Sequence, residues 1–455
     1  MIRPKNIVVI GGNAAGCAAA AKAKRFNKDS TVFLFEKSNR ISIGTCELPY
    51  AISGEIPDIN KLIIFEPHAF AVSKGVEVKI LHEVISINPR NKVVTVFDIT
   101  SQTSSDYPYD RLVLATGSVT REDVGFEKDS YSNLFSLKTF QDAEKIIAYQ
   151  KSERPKRAVV IGSGFVALEV IESLTVLGLE ITCIEKQSSA FGFAGGEIGN
   201  IIEKIFEEKN ISLFKDVNSF KFITEGTKIS GVRIGSRTIE SDVVFLCNGI
   251  SPNTILAKKL GISLTTQGAI KVSSKMQTSD SNIYACGDCV AYKEKILGQD
   301  IYLPQASLAH SSGHIAGANA AGGNVFLKPV IRNLSVRFLD SFIIRVGLND
   351  DECSSLQHKL FSVNTLHSNL VKVMPNSRPN YIKLVCDKTS GRIYSASLFG
   401  GHEVSGFADI ISSFIQNNIS AVELSQINYN YTPALSNLIN PLSILGRKVE
   451  QNIQK

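Results

Sequence analysis

Four segments decide the fold: Ile7-Val-Val-Ile10, then Gly11-Gly12-Asn13-Ala14-Ala15-Gly16, then Cys17-Ala-Ala-Ala-Ala-Lys-Ala-Lys-Arg25, and finally Thr31-Val-Phe-Leu-Phe35-Glu36. The first is a short β-branched run, the pattern of a buried parallel strand. The glycine-rich loop leads into an alanine-rich helical stretch, and the second strand ends on an acid. Together they form the βαβ dinucleotide fingerprint. Glycine makes the tight turn, the helix N-terminus receives a pyrophosphate, and the acid receives a ribose hydroxyl. Asn13 stands at the usual middle-glycine position, so the strict pattern fails at one place. A glycine-rich loop alone is weak support; the flanking strands, helix and acid supply the rest.

The pattern recurs. Ala158-Val-Val-Ile161 enters Gly162-Ser-Gly164-Phe165-Val-Ala167, a helix is expected through Leu177, and the strand Glu180-Ile-Thr-Cys-Ile184 ends in Glu185. Two fingerprints in one chain are far more specific than one. Paired strand-to-glycine exits follow, Arg111-Leu-Val-Leu-Ala115-Thr116-Gly117 and Asp242-Val-Val-Phe-Leu-Cys-Asn-Gly249. In Asn282-Ile-Tyr-Ala-Cys-Gly287-Asp288 a strand leads to an aspartate able to accept from a sugar-like hydroxyl. From about Asn333 short strand-like runs mix with helical ones, near Val404 to Gln416 and Val422 to Gln426, an α+β pattern. The fold class expected is α/β, with two Rossmann-like dinucleotide-binding domains and a C-terminal α+β domain. The boundaries expected are 1–118 and 250–330 for the first domain in two segments, 119–249 for the second, and 331–455 for the C-terminal one. Ser101 to Asp106 reads as a polar hairpin loop and Ser152 to Lys156 as a linker.

At 455 residues the chain exceeds what one core organises. Its 44% hydrophobic and 20% charged content is that of an ordinary globular protein. The net charge of +6 is spread along the chain without a basic block, which speaks against nucleic acid or a membrane surface as partner. No apolar run approaches the roughly 18 to 20 residues that span a bilayer, and the start from Met1 lacks a leader's apolar core. A cytoplasmic location is expected. Eight cysteines are scattered without a disulfide framework, as in a reducing compartment. Cys17, Cys183 and Cys247 suit packing. Cys286 and Cys289 have redox spacing, but the Gly287-Asp288 between them already has a reading, so incidental placement is preferred. His310 and His314 lie one helical turn apart within Gln305 to Ala321. No third ligand accompanies them, so no metal site is expected and a surface or interface role is preferred.

One more stretch, Ile41-Ser42-Ile-Gly-Thr45-Cys46-Glu-Leu-Pro-Tyr50, carries chemistry. With these motifs the chain resembles the flavin-dependent pyridine nucleotide-disulfide oxidoreductases from Ile7 to about Gly446. The resemblance implies FAD held by the first loop (Gly11, Gly12, Ala15, Gly16), Glu36 and Lys37, by Ala115, Thr116 and Gly117, and by Gly287, Asp288 and Ala306. It implies NADH or NADPH on Gly162, Gly164, Phe165, Glu169, Glu185 and Gly249. Glu185 favours NADH, while Lys186 leaves NADPH open. It also implies a homodimer built on the C-terminal domain. Members with an internal redox disulfide carry a second cysteine five residues on; here that position is Ala51. Cys46 with Ser42 and Leu48-Pro49-Tyr50 matches the single-cysteine branch of coenzyme A-disulfide reductases, NADH peroxidases and NADH oxidases.

Within that branch the resemblance is nearest to the coenzyme A-disulfide reductases. Peroxidases and oxidases place a histidine where this chain has Ala14. Arg25 and Lys74 fall where the reductases hold coenzyme A phosphates, although each read alone is an ordinary surface charge. Ser42 and Thr45 are expected at the substrate. Tyr431 matches a tyrosine that reaches the cysteine across the dimer, where a phenol can protonate a leaving thiolate. The expected activity is transfer of electrons from NAD(P)H through FAD to Cys46 and on to a small-molecule disulfide, coenzyme A disulfide or persulfide. The alternatives are an oxidase or peroxidase using a Cys46 sulfenic acid, and a flavoprotein electron carrier. Three positions depart from the reductase pattern: Val373-Met-Pro-Asn376 replaces a second tyrosine segment, Thr45 a frequent asparagine, and Glu47 a small residue. A carboxylate beside the cysteine disfavours its thiolate if it points inward.

Overall fold

The structure, a computed structural model, describes residues 4–121, 131–357 and 359–454. Met1 to Arg3, where the leader reading begins, lie outside the described residues.

Two five-stranded parallel sheets hold the first two thirds of the chain. In the first, the spatial order is Ile283–Ala285, Arg111–Leu114, Asn6–Ile10, Thr31–Glu36 and Glu77–Ile80, all parallel. The second runs Ser212–Phe214, Glu180–Ile184, Arg157–Ile161, Val243–Leu246 and Leu134–Phe135. Each is covered on both faces, so its strands read as continuous apolar runs: Ile7, Val8, Val9, Val159 and Val160 are fully buried. The short antiparallel pair of Ser118–Thr120 with Ile250–Pro252 joins the two sheets' segments. The third sheet is antiparallel, in the order Asn333–Phe338, Ser341–Gly347, Ile393–Gly400, Pro379–Asp387 and Leu360–Ser368. The helices Val404–Asn417 and Pro441–Ile453 pack over it through Ile411 and Leu445.

The two fingerprints repeat the same turn geometry. Gly11 and Gly162 both take φ +107°, a conformation that excludes ordinary side chains. Their amides donate to Phe35 and Ile184 at 2.8 Å. A Cβ on either would lie 2.3 Å from the Ala115 carbonyl oxygen or 2.5 Å from that of Cys247. The turn therefore presses against the exit of the neighbouring strand, and only glycine permits that approach.

Several local expectations differ from the structure. Residues 103–108 form a strand on Val93–Asp98, so the polar loop shrinks to the turn before Thr103. That strand faces solvent, and its stability comes from the backbone ladder and the Thr95–Asp106 hydrogen bond (2.8 Å) rather than from apolar side chains. Helix Phe140–Glu153, opened by a Thr139–Asp142 capping box, runs into the expected linker and ends at Arg154 in the left-handed region. The run expected at Val422 to Gln426 is a 3₁₀ turn at Ala421–Ser425. No described helix is long and apolar enough to cross a membrane.

Helix Ala306–Ala320 lies on helix Ala14–Phe26 at backbone contact, since Cβ atoms on Gly313 and Gly317 would meet the Ala15 and Ala19 carbonyl oxygens at 2.3 and 2.1 Å. Gly317→Val is expected to lower stability by about 2–3 kcal/mol by overpacking this interface. Gly406→Ala, where nothing lies within 4 Å, is expected to be neutral or to stabilise by up to about 1 kcal/mol through helix propensity. Thermal unfolding of the two variants against wild type measures both.

Candidate functional site

Cys46 sits in a 3₁₀ turn, Thr45–Glu47, that runs directly into the short helix Leu48–Ile52 with proline in its first turn. The loop before it is pinned at several points. Ser42 takes φ 52° and its amide donates to the Gly12 carbonyl at 2.8 Å. The Ile43 amide donates to Asn13 Oδ1 at 3.0 Å. Gly44 and Ile64 close the loop against the Leu62 and Ser42 carbonyls at 2.8 and 2.9 Å. Asn13, the one break in the glycine pattern, thus ties the redox loop to the nucleotide loop. Leu48, Ala51 and Ile52 are buried, which fixes the helix and leaves Cys46 exposed at its start. Ala51 offers no sulfur, and all eight cysteines are free.

The surroundings hold the Cys46 thiol above its ordinary pKa. Desolvation is the largest cause, followed by the charges of Glu47, Glu169 and Asp288; Lys138 acts in the opposite sense. The Glu47 side chain folds back over Gly44, where a Cβ would lie 2.6 Å from Glu47 Oε2. Glu169, in the first turns of helix Phe165–Val176, is pushed up to about 7 by burial and by the charge of Glu172. Asp288 lies 3.5 Å from Lys138 Nζ and accepts from Ser118 Oγ at 3.3 Å. Lys138 had no signal in the sequence, since only tertiary folding brings it to Asp288.

The two strand-end acids are held alike. Glu36 accepts from the Gly12 and Ser38 amides at 2.7 and 2.8 Å, and Glu185 from Ser163 Oγ and the Gln187 amide at 2.5 and 2.8 Å. Lys37 and Lys186 follow them, exposed. The helices starting at Ala14, Phe165 and Ala306 have no side-chain cap and no acid in the first turn, with Asn13 Oδ1 spent on Ile43. Helix N-termini without a side-chain cap fit the pyrophosphates of a flavin and a nicotinamide dinucleotide. Gly16 has no room for a Cβ, which would strike the Gly11 carbonyl oxygen at 1.8 Å. Gly287, at φ 79°, comes as close to Ala15, with its Cβ position 2.6 Å from that of Ala15. Thr116 Oγ1 donates to the Asn253 carbonyl at 2.6 Å, and Gly117 and Gly249 turn at positive φ.

Arg25 is exposed near the end of its helix, and Lys74 Nζ lies 5.0 Å from the Phe65 ring. The Lys24 stem runs beside Gly75, so these two helix ends adjoin. The His310 and His314 rings are 4.6 Å apart, and Arg25 and Lys22 help lower the His314 pKa, its burial being the first cause. The histidines therefore join the Arg25 side of the molecule, which their spacing alone did not reveal. Tyr431 is 45% exposed and is not among the groups that act on Cys46 within this chain. Cys286 and Cys289 are fully buried, and desolvation raises both thiols, as packing residues require.

Glu47→Gln removes one of the charges opposing the Cys46 thiolate. The midpoint of Cys46 alkylation against pH, followed by iodoacetamide labelling and mass spectrometry, is expected to fall.

Comparison with known proteins places these features. The family model for pyridine nucleotide-disulphide oxidoreductases matches residues 5–313. A coenzyme A disulfide reductase of Staphylococcus epidermidis is 26% identical over 450 residues, 98% of this chain and 99% of its own length. An NADH oxidase of Methanocaldococcus jannaschii is 27% identical over 438 residues, 96% of this chain and 97% of its own. The solved structure of an NAD-dependent persulfide reductase from A. fulgidus superposes with a TM-score of 0.92 at 28% identity, covering 98% of this chain and 83% of that one.

Proposed function

Because this chain belongs to the pyridine nucleotide-disulphide oxidoreductase family, we propose that Cys46 is its redox centre and that it reduces a coenzyme A-type disulfide or persulfide. The single observation that carries this reading is the exposed Cys46 with Ala51 where a partner sulfur would stand. FAD, when bound, supplies the two-electron transfer between a reduced nicotinamide and sulfur. Residues 1–118 and 250–330 would hold it, with Glu36 at the adenosine ribose and Asp288 and Ala306 on the flavin side. Residues 119–249 would hold the nicotinamide nucleotide. The Glu185 carboxylate repels a 2′-phosphate, which favours NADH.

The chain's own chemistry is a thiol exchange. The Cys46 thiolate attacks one sulfur of the substrate disulfide, breaking its S–S bond, forming a mixed disulfide and expelling one thiolate. Two electrons then cleave the mixed disulfide, releasing the second thiolate and restoring Cys46. Arg25 and Lys74 would meet the phosphates of the departing thiol, as cations suit that polyanion. Ser42 and Thr45 line the approach to the sulfur.

Tyr431 would act on a second copy's Cys46, in a homodimer built on residues 331–455. The exposed Leu366 (70%), Val373 (90%), Leu435 (60%) and Leu438 (67%) on that unit support this assembly, because a lone subunit would leave them in water. Leu438→Glu is expected to yield monomers in sedimentation velocity and to lose disulfide turnover with them. Eight free cysteines suit a cytoplasmic location.

Intact mass before and after dithiothreitol tests the central reading. A removable adduct of coenzyme A mass on Cys46, with disulfide-dependent NADH oxidation reduced at least about 100-fold in Cys46→Ser, is the expected result. A Cys46 sulfenic acid with NADH-dependent oxygen consumption would assign the oxidase chemistry instead. An undiminished electron flow to a protein carrier in Cys46→Ser would assign the carrier role.

A further inference from the structure

Behind the Cys46 turn, three parts of the chain meet at one guanidinium. Arg337, on strand Asn333–Phe338 of the C-terminal sheet, lies with its guanidinium carbon 4.4 Å above the Tyr50 ring. Its Nη1 and Nη2 grip both oxygens of Glu55 at 3.0 and 2.5 Å, and its Nε is 2.7 Å from Glu172 Oε1. Tyr50 belongs to the Leu48–Ile52 helix that Cys46 initiates, and Glu55 follows that helix by three residues. Glu172 is on helix Phe165–Val176, one turn beyond Glu169. That helix also touches the Cys46 helix directly, with Ser173 Oγ donating to the Pro49 carbonyl at 2.8 Å. Pro49, Tyr50, Glu169, Glu172 and Arg337 share a hollow with room for about one water, a volume of about 10 Å³.

We propose that Arg337 is a positioning residue for the redox cysteine: it fastens the Cys46 helix to the nucleotide-domain helix and balances the carboxylates behind the thiol. The proposal rests on the reading of Cys46 as redox centre. Three geometric facts support it. The contact to Glu55 is bidentate and the guanidinium is stacked, so both the height and the tilt of the Cys46 helix are specified. Glu172 is only 7% exposed, and a carboxylate so buried requires a partner. Glu169 also joins the two sites: it lines the hollow with Arg337 and is one of the charges that act on the thiol, with Glu47 from the turn itself, Asp288 after strand Ile283–Ala285, and Lys138 before helix Phe140–Glu153. Without Arg337, Glu172 is uncompensated next to Glu169, and the field at Cys46 becomes more negative.

The test uses the FAD-loaded enzyme and two substitutions. In Arg337→Met the midpoint of Cys46 alkylation is expected to rise by about half a pH unit as the thiolate is disfavoured. Its kcat is expected to fall on the order of tenfold through misplacement of the sulfur, with KM for NADH within about twofold. Arg337→Lys keeps the charge but not the fork or the planar stack. It is expected to restore the midpoint while recovering kcat only in part. Wild-type midpoint and kcat in Arg337→Met, even with a lowered melting temperature, would overturn the proposal, as would an Arg337→Lys midpoint no closer to wild type. If Arg337→Met does not fold, Glu55→Gln at its half-exposed site decides: lowered kcat at unchanged melting temperature supports the proposal, and unchanged kcat overturns it. Cys46→Ser is run in parallel. Full disulfide turnover there sinks the reading of Cys46 itself, whatever Arg337 does.

Discussion

Two glycine amides, Gly11 and Gly162, each hold a strand end while their α-carbons press on the carbonyl of the neighbouring strand's exit. Everything functional in the chain is arranged around these two contacts. They set where the following helices begin, and so where helix N-termini without a side-chain cap stand to receive phosphate. They also set the distance between each loop and the acid at the end of the adjacent strand. Because the contact is steric and tolerates no Cβ, it fixes geometry without contributing much attraction of its own. The stability comes instead from the apolar strands behind it.

Much of this is legible in the sequence itself. Ile7–Ile10 and Ala158–Ile161 are β-branched runs that only a doubly covered parallel sheet buries, and the glycines after them have one sensible conformation. The cysteine was legible through its neighbours Ser42 and Leu48-Pro49-Tyr50. What the sequence left hidden is long-range. Arg337 is nearly 300 positions from Tyr50, and no local pattern distinguishes it from a surface arginine. Lys138 meets Asp288 only after the second sheet has docked. Helices Phe140–Glu153 and Pro441–Ile453 lie outside every glycine-loop and cysteine motif that organises the reading, and the solvent-facing strand Thr103–Pro108 has the composition of a loop.

The charge around Cys46 is more acidic than a reactive thiol requires. Glu47, Glu169 and Asp288 all act against the thiolate, with Lys138 as the opposing cation. Glu169 changes state near neutrality, so its repulsion is weak on the acid side of pH 7 and grows above it. A sulfur of this kind is poorly nucleophilic until charge is supplied nearby. That makes it less prone to wasteful oxidation between turnovers, since oxidation follows thiolate character.

The two glycine loops share a backbone but not the residue at their centre. Asn13 spends its side chain on the Ile43 amide, whereas Ser163 hydrogen-bonds Glu185 and accepts from the Phe191 amide at 3.1 Å. The same slot thus serves as a tether to the redox loop in one copy and as a brace for the acid in the other. Replacing Asn13 with glycine would keep the nucleotide loop and its Ser42–Gly12 hydrogen bond while surrendering the side-chain tether between that loop and the segment that carries the sulfur.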